Sequence, residues 1–362
     1  MADTKQQAQD LIIGESIDRL VNVEMNPHLQ GGRTYKRYQI AREKQESPLT
    51  YLAATRLIEA VKPGDFVFFL GGAGLSPWLE YGETDGPAGV ISLARALNLG
   101  LDAIPVFIGD KQHMGPIAAC GRAAGLLVLD REAVETKKVN RSAIVAPFTL
   151  GPDGAVGNAK ALLDEYQPSA VISVEKQSPN ELGAFHTSRG WKIPASGQAF
   201  VYEISLEADR RDIFTLGIGD GGNEIGWGLV QDEYNKIFQE EFGQGCFCGC
   251  GGGQATNVST DVLVCACTSN WGAYGVSACL GYLLQKSELI QDSEMERRMV
   301  EAMAMAGAVD VIHGTAPYVD GTSLNAQLSV VNGLREIITN ALMKDFRSVF
   351  PPDYSELVRD IP

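Results

Sequence analysis

The sequence predicts an α/β protein built on a mostly parallel sheet with helices on both faces. Short apolar runs bounded by turn residues, such as residues 65–71, are typical of strands that are buried on both sides. These runs alternate along the chain with segments of helical apolar spacing. The chain has 362 residues, 45% of them hydrophobic and 21% charged, which is enough for a large core. Together these observations predict a three-layer, Rossmann-like fold.

The elements follow in order along the chain. Residues 1–47 are polar and predict an N-terminal helical extension, with a helix over residues 10–24 and then an irregular connection. The α/β domain is predicted to cover residues 48–362, beginning with a helix that stops before Pro63 and Gly64. After the strand over residues 65–71, the pattern predicts further strands over residues 103–108, 126–129, 170–174, 213–218 and 261–267. It predicts helices over residues 90–99, 116–124, 159–166, 274–284 and 324–342, and one more helix that ends at residue 242.

Composition and charge exclude several classes of partner. The net charge of −15 repels phosphate backbones and anionic lipids, so neither nucleic acid nor a membrane surface is expected as a partner. The chain start lacks the pattern of an export signal, and seven unevenly spaced cysteines do not suggest a disulfide framework. We therefore expect a cytoplasmic protein that acts on a small molecule. The sequence leaves the choice between a monomer and a homo-oligomer open.

A glycine-rich loop follows the predicted strand over residues 213–218 and is predicted to open a helix. Asp220, Asn223 and Glu224 provide three oxygen ligands within this loop, which suits a hard divalent cation. Asp220 and Glu224 are also candidate catalytic residues, because carboxyl groups transfer protons. The structural alternative is a turn in which Asn223 or Asp220 caps the following helix.

The same loop permits a second function, that of a nucleotide-dependent oxidoreductase. Gly217, Gly219 and Gly222 match the G-x-G-x-x-G spacing of dinucleotide-binding loops. Asp220, however, would direct a negative charge toward the pyrophosphate. No acidic residue for the ribose can be placed at the end of the next strand, so this function is kept as the alternative.

Further acidic residues follow other predicted strands. Glu83 and Asp85 lie in the loop after the first strand, and Glu175 follows a later one. Because the carboxyl ends of parallel strands meet at one edge of a sheet, we expect Glu83 and Asp85 to approach Asp220 and Glu224. They would then be additional metal ligands. In the simpler interpretation, the first loop only caps the helix that follows it.

Polar residues near these loops are candidates for binding a substrate. Lys176 and Arg189 can each bind a carboxylate, and His186 is an acid–base candidate because Arg189 lies nearby. Ser269 and Asn270 lie at a strand-to-helix junction, where they can donate hydrogen bonds to a carbonyl or carboxylate. Alternatively, these two residues cap the helix.

Cysteines are concentrated in one part of the chain. Cys246, Cys248 and Cys250 have C-x-C spacing, and Cys265 and Cys267 follow on a predicted strand. Thiolates suit Zn²⁺, Cu(I) or an iron–sulfur cluster, but neither a C-x-x-C pair nor a Cys/His zinc pattern is present. A non-catalytic metal or thiol site therefore remains an alternative to ordinary structural thiols.

Several of these motifs, taken in order, resemble the C-terminal domain of the D-glutamate cyclase family over roughly residues 64–337. Two of them, the glycine-rich loop and the Ser-Asn-Trp-Gly segment, are long enough to be specific. The motifs are Glu83-Thr-Asp-Gly-Pro-Ala-Gly89, Glu175-Lys176 with Gly183 and Arg189, Gly219-Asp-Gly-Gly-Asn-Glu-Ile-Gly226, Ser269-Asn-Trp-Gly-Ala-Tyr274 and Val319-Asp-Gly321.

The resemblance implies a hydro-lyase that interconverts D-glutamate and 5-oxo-D-proline with the help of a divalent cation such as Mn²⁺. Opening a lactam requires a polarised carbonyl, an activated water and a protonated leaving nitrogen. The roles implied are cation binding by Asp220 and Glu224 with Glu83, Asp85 or Asn223, oxyanion stabilisation by Asn270, and substrate binding by Lys176, Arg189, Thr84 and Ser269.

The chain departs from the family pattern at two places. Ser178-Pro179 and Leu182-Gly183 stand where members usually carry a glycine–arginine pair and an aspartate–glycine pair. The cysteine-rich segment is also unfamiliar in this family. A related cyclic amide is therefore an alternative substrate.

Overall fold

The computed structural model describes residues 2–343 and confirms the α/β class. Residues 344–362, the end of the predicted domain, lie outside the described part. The strands are β1 (Phe66–Gly71), β2 (Ile104–Asp110), β3 (Leu127–Leu129), β4 (Ser142–Phe148), β5 (Ala170–Val174), β6 (Phe185–His186), β7 (Lys192–Ile193), β8 (Phe214–Gly219), β9 (Val262–Cys265), β10 (Tyr318–Val319) and β11 (Thr322–Ser323). The helices are α1 (Ala2–Val21), α2 (Pro27–Gln30), α3 (Arg33–Gln45), α4 (Leu49–Ala60), α5 (Pro87–Leu101), α6 (Met114–Ala123), α7 (Arg131–Lys137), α8 (Ala155–Tyr166), α9 (Tyr202–Asp209), α10 (Gln231–Phe242), α11 (Ser269–Leu283), α12 (Ser293–Met305) and α13 (Leu324–Leu342).

Within residues 2–343, seven strands form one sheet in the order β3-β4-β2-β1-β5-β8-β9, and all neighbours in it are parallel. The chain leaves β1 toward β2 on one side and later returns to β5 on the other side. The strand order therefore reverses between β1 and β5. In open α/β sheets, the crevice at such a reversal, beyond the carboxyl ends of the strands, is where ligands bind.

A hydrophobic core lies on each face of the sheet. Alternate residues of β1 point to opposite faces, so that Val67 and Phe69 join one core and Phe68 and Leu70 join the other. The first core includes residues of α4, α5, α11 and α13, and the second includes residues of α8 and α9. This double coverage explains why the strands are continuous apolar runs.

The N-terminal helices pack against the first of these cores. Ile17 and Val21 of α1 are fully buried in it. The carboxylate of Asp18 accepts hydrogen bonds from the backbone N–H groups of Leu49 and Thr50, at 2.6 and 3.1 Å, and so caps the N-terminus of α4. These contacts join residues 2–47 to the rest of the chain, and the division at residue 47 stays a prediction.

The irregular connection predicted after the first helix is wrong, because residues 33–45 form α3. This helix buries only Thr34, Arg37 and Ala41. Since most of its residues are polar, its hydrophobic periodicity is too weak to reveal a helix. Packing against β9 and α10 stabilises it instead.

No helix within residues 2–343 combines the length and apolar character that crossing a bilayer requires.

Candidate active site

A cavity of about 380 Å³ opens at the carboxyl ends of β1, β5 and β8, beside the reversal of strand order. Its wall is acidic on the sheet side, where Glu83 follows β1, Glu175 follows β5 and Asp220 follows β8. The remaining residues that line the cavity are Arg33, Arg37, Leu75, Leu79, Gln177, Thr187, Ser188, Arg189, Ile193, Asn223, Val311, Ile312 and Asp320.

Acidic groups from three strand ends come together beneath this cavity. Asp85, Glu175 and Asp220 each offer a carboxylate oxygen, and these oxygens lie within 4.8 Å of one another. Glu224 lies on the same loop as Asp220, and its Oε1 accepts a hydrogen bond from the Gly221 N–H at 2.9 Å. The structure therefore brings together the loops that the sequence predicted to converge.

The N-terminus of α11 holds two of these carboxylates. The backbone N–H groups of Ser269 and Asn270 donate to the Asp85 carboxylate at 2.7 and 2.8 Å. The Ser269 hydroxyl donates to Glu175 Oε2 at 2.6 Å. The positive end of the α11 dipole thus lies behind the acidic cluster and stabilises the negative charge there.

Burial and mutual repulsion raise the pKa values of these carboxyl groups. Loss of hydration, followed by the charge of Asp220, raises the pKa of Asp85 to about 7 and that of Glu224 to about 8. Burial, followed by neighbouring carboxylates, also raises the pKa values of Glu83, Glu175 and Asp320 well above their ordinary range. The whole cluster cannot be ionised near neutral pH unless a positive charge compensates it.

The available ligand atoms fit a hard divalent cation. In the described part of the chain, Asn223 Oδ1 and Glu224 Oε2 are buried without a hydrogen-bond partner. Both are oxygen donors, as are the three carboxylates that lie within 4.8 Å. Oxygen ligands of this kind are those that Mg²⁺, Mn²⁺ and Ca²⁺ prefer.

The cavity wall also carries arginines, two of them from α3. Arg37 is buried, donates to the Asp220 carbonyl oxygen, and lies over the Tyr234 ring at 5.5 Å. Arg189 lies in the turn between β6 and β7 and also lines the cavity. The sequence pointed to Arg189 but not to Arg33 or Arg37, because their helix was not predicted.

Asp320 is another cavity residue that the sequence assigned only to a turn. It lies between β10 and β11 with a φ of 48°, in the left-handed region that few aspartates adopt. Glu175 has the same φ of 48°. The Asp-Gly pair was the available signal, although it is equally typical of an ordinary turn.

Four predicted substrate-binding residues do not line the cavity, and one of them is Ser269, whose hydroxyl donates to Glu175. Asn270 Oδ1 accepts from the N–H groups of Gly86 and Gly89 at 3.0 and 2.6 Å, and its Nδ2 donates to the Thr84 carbonyl at 3.0 Å. Asn270 therefore holds the loop after β1 in place. The Lys176 ammonium is buried and pairs with the Asp110 carboxylate. The Thr84 hydroxyl is buried without a hydrogen-bond partner among the described residues.

His186, the predicted acid–base histidine, points away from the acidic cluster and contacts cysteines. Its Nε2 lies 3.0 Å from Cys248 Sγ and 3.9 Å from Cys250 Sγ. Burial lowers the pKa of His186, which favours the neutral imidazole. Its backbone carbonyl accepts a hydrogen bond from Asn223 Nδ2 at 2.9 Å, which connects this region to the cavity.

The glycine loop does not have the geometry of a dinucleotide-binding turn. Gly217 and Gly219 lie inside β8, and the helix expected directly after the loop begins only at Gln231. A Cβ atom on Gly217 would lie 2.4 Å from the Ile225 carbonyl oxygen, so close packing requires this glycine. Within residues 219–230, the loop is therefore not followed directly by an α-helix whose N-terminus could bind a pyrophosphate.

The fold and the cavity define a class of protein: an open parallel α/β protein whose acidic, arginine-lined cavity has the usual location of an active site in such sheets. Sequence comparison then gives the family. The profile described as D-glutamate cyclase-like, C-terminal, matches residues 69–335. The chain belongs to this family.

Two curated relatives match part of the chain. It is 27% identical over 209 residues to D-glutamate cyclase, mitochondrial, of Homo sapiens, which covers 56% of this chain and 30% of that protein. It is 26% identical over 159 residues to inosine-5'-monophosphate dehydrogenase of Staphylococcus haemolyticus (strain JCSC1435), which covers 41% of this chain and 30% of that protein. The alignments therefore span 30% of the length of each of these relatives.

Proposed function

We propose that this chain is a lyase that interconverts D-glutamate and 5-oxo-D-proline, or acts on a closely related cyclic amide, with a divalent cation such as Mn²⁺. The observation that carries the proposal is the cavity, which combines an acidic cluster able to hold a cation with arginines able to hold a carboxylate. Membership of the D-glutamate cyclase-like family supports a lyase of this kind.

The size and charge of the cavity suit a small anionic amino acid. A volume of about 380 Å³ lies at the lower end of the range for small-molecule sites. Arg189 and Arg37 provide guanidinium groups, which bind carboxylates through paired hydrogen bonds. Glutamate and its lactam share the α-carboxylate, so both substrate and product can use the same anchor.

Ring opening adds water across the C–N bond of the lactam, and the reverse reaction removes it. A base must accept a proton from the water, and an acid must donate one to the leaving nitrogen. Glu175 and Asp320 line the cavity, and burial raises the pKa of each. A raised pKa favours the protonated carboxyl, so one of these groups can donate the proton as the acid, and the other can serve as the base once it is ionised.

We assign two roles to Asp220, as a ligand of the cation and as a group that acts in the reaction. It lines the cavity, and its carboxylate lies within 4.8 Å of a ligand oxygen of Asp85 and of Glu175. A bound cation supplies positive charge that polarises a carbonyl and lowers the pKa of water. Glu224 supports the loop from behind by accepting the Gly221 N–H.

The test is a ring-opening assay on 5-oxo-D-proline and a panel of cyclic amides, with and without added Mn²⁺. Asp220→Asn keeps the size of the side chain but removes its charge, so turnover should fall by about 10²–10⁴-fold. If Asp220 binds the cation, part of this loss should return at high Mn²⁺, because a neutral oxygen binds a hard cation less tightly.

The matched control is Asp153→Asn, the same change at an exposed position in the loop before α8. It should retain the wild-type rate. Wild-type turnover in Asp220→Asn would remove the glycine loop from the active site, and inactivity of the wild type on every panel member would reject the substrate class.

A further inference from the structure

A second ligand cluster lies outside the cavity and does not take part in the proposed reaction. His186 of β6 and the thiols of Cys246, Cys248 and Cys250 present one ligand atom each, and these four atoms lie within 4.8 Å of one another. We propose that these four residues bind one zinc ion as a closed, structural site.

The distances within the cluster fit one tetrahedral ion. Zinc with bonds of about 2.3 Å to sulfur and about 2.0 Å to nitrogen places its ligand atoms about 3.5–3.8 Å apart. Cys246 Sγ lies 3.4 Å from Cys248 Sγ and 3.6 Å from Cys250 Sγ. His186 Nε2 lies 3.0 and 3.9 Å from the sulfurs of Cys248 and Cys250. A cluster of several irons needs ligands that are further apart.

Two of the three sulfur atoms accept hydrogen bonds from N–H groups. The N–H groups of Cys250 and Gly252 donate to the sulfurs of Cys248 and Cys250, at 3.3 and 3.4 Å. Asn180 Nδ2 also donates to Cys250 Sγ, at 3.5 Å. Donors that converge on sulfur orient the ligands of a metal and stabilise their negative charge.

The backbone around the cysteines is shaped to present them together. Gly249 and Gly251 alternate with the cysteines and have φ values of 73° and 85°, which fold the segment back so that its thiols meet. Phe247 stacks on Trp191 at 5.0 Å, and its N–H donates to the Gly190 carbonyl at 2.9 Å. The turn between β6 and β7 is thereby fixed against the cysteine segment.

The position of the site suggests its purpose. Beyond His186, the chain enters the turn that carries Thr187, Ser188 and Arg189 into the cavity wall. The zinc would join this turn to residues 246–250, a segment that consists mostly of glycine and cysteine. With three cysteines and one histidine, no coordination position is left for a reacting molecule, as in other structural zinc sites.

Metal analysis of the protein expressed with zinc is the primary test. We expect one zinc per chain, and replacement by Co²⁺ should give the intense sulfur-to-cobalt charge-transfer absorption of a thiolate-rich tetrahedral site. Cys250→Ser should weaken binding by more than the roughly 10–100-fold typical of residues that only orient a ligand. Cys267→Ala, a buried thiol outside the cluster, should keep full zinc content.

A measurement on the unaltered chain covers the case in which Cys250→Ser fails to fold. Alkylation followed by intact mass should modify three more thiols after chelation than before it. Equal modification with and without chelator would overturn the proposal, as would iron with acid-labile sulfide in place of zinc. A protein mass that is lower by two hydrogens, and that chelation leaves unchanged, would indicate a disulfide. This result would also overturn the proposal. None of these readouts depends on the lyase activity.

Discussion

Single glycines set the shape of the loop that carries Asp220. Gly222 has a φ of 87°, and a Cβ atom there would lie 2.2 Å from a ring carbon of Tyr234. The Tyr234 hydroxyl in turn donates to the Gly221 carbonyl at 2.5 Å. The ring and the loop are thus fitted to each other, and only glycine permits both the backbone angle and the contact.

Replacing Gly222 should therefore lower the unfolding free energy by more than backbone strain alone would. Gly222→Ala combines a left-handed φ with a clash against the buried Tyr234 ring, and we expect a loss on the order of 3 kcal/mol in unfolding free energy. Urea unfolding followed by tryptophan fluorescence measures it. Gly154 has a φ of 75° with nothing within 4 Å of its added Cβ, so Gly154→Ala should lose only about 1 kcal/mol. Equal losses would mean that the ring moves aside freely.

The sequence located the acidic part of the site because carboxylates at strand ends converge by topology alone. It did not find Asp320 in the cavity, because an Asp-Gly turn reads the same whether or not it lines a site. It also could not bring His186 to the cysteines, since some sixty residues separate them and no spacing rule connects them. Contacts between distant segments depend on loop paths, which local patterns do not specify.

At the level of whole elements, the prediction found most strands of the seven-stranded sheet but missed several helices. The bounds of β5 and α13 agree with the prediction. The prediction omitted β4, which contains Pro147, although proline is uncommon in strand interiors. β3 pairs with β4 only as far as Ile144, so β4 is an edge strand beyond that point, where proline is tolerated. α7, α9 and α12 were also not predicted.

α3 illustrates how a weakly patterned helix can still contribute to a site. Arg37→Gln keeps hydrogen-bonding capacity but removes the charge, so the Asp220 carbonyl can keep a donor while the cavity loses a cation. We expect kcat/KM to fall by about 10–100-fold, mainly through KM if Arg37 binds the substrate in ground and transition states alike. Steady-state kinetics on the preferred substrate measures both constants.

Arg42→Gln is the control from the same helix, because Arg42 pairs with Glu15 at 2.8 Å and does not line the cavity. It should leave both constants unchanged. If both variants lose activity alike, α3 supports the fold and its arginine does not act on the substrate.

At the level of the whole molecule, several carboxyl groups are buried, and one of them, Glu296, does not line the cavity. Glu296 of α12 is fully buried and accepts hydrogen bonds from the Tyr274 hydroxyl at 2.8 Å and from Gln291 Nε2 at 3.0 Å. Burial raises its pKa to about 7, against the opposing effect of these hydrogen bonds. It connects α12 to α11 at the back of the first core.

This carboxyl should make stability depend on pH. The folded state binds a proton more tightly than the unfolded chain, where a glutamate has a pKa of about 4.3. The contribution of Glu296 to the unfolding free energy should therefore fall as the pH rises from about 4.5 to about 7, by on the order of 3 kcal/mol, and then level off. Urea unfolding at about pH 5 and about pH 8 gives the difference.

Glu296→Gln should reduce that difference whatever its effect on absolute stability, because glutamine does not titrate. Glu294→Gln, an exposed change on the same helix, should leave the difference as in the wild type. An unaltered pH dependence in Glu296→Gln would show that this carboxyl stays ionised in the folded protein.

The central position of β1 has a consequence for the folding of the chain during its synthesis on the ribosome. β2 can pair with β1 as soon as it emerges, and β4 and β3 then extend the same side. The other edge of β1 waits for β5, whose Ala170 pairs with Val67. During that interval the nascent chain presents an apolar strand edge, the kind of surface that recruits other chains into aggregates. Elongation pauses between residues 148 and 170 would prolong this exposure, whereas a chaperone that covers the edge would shorten it.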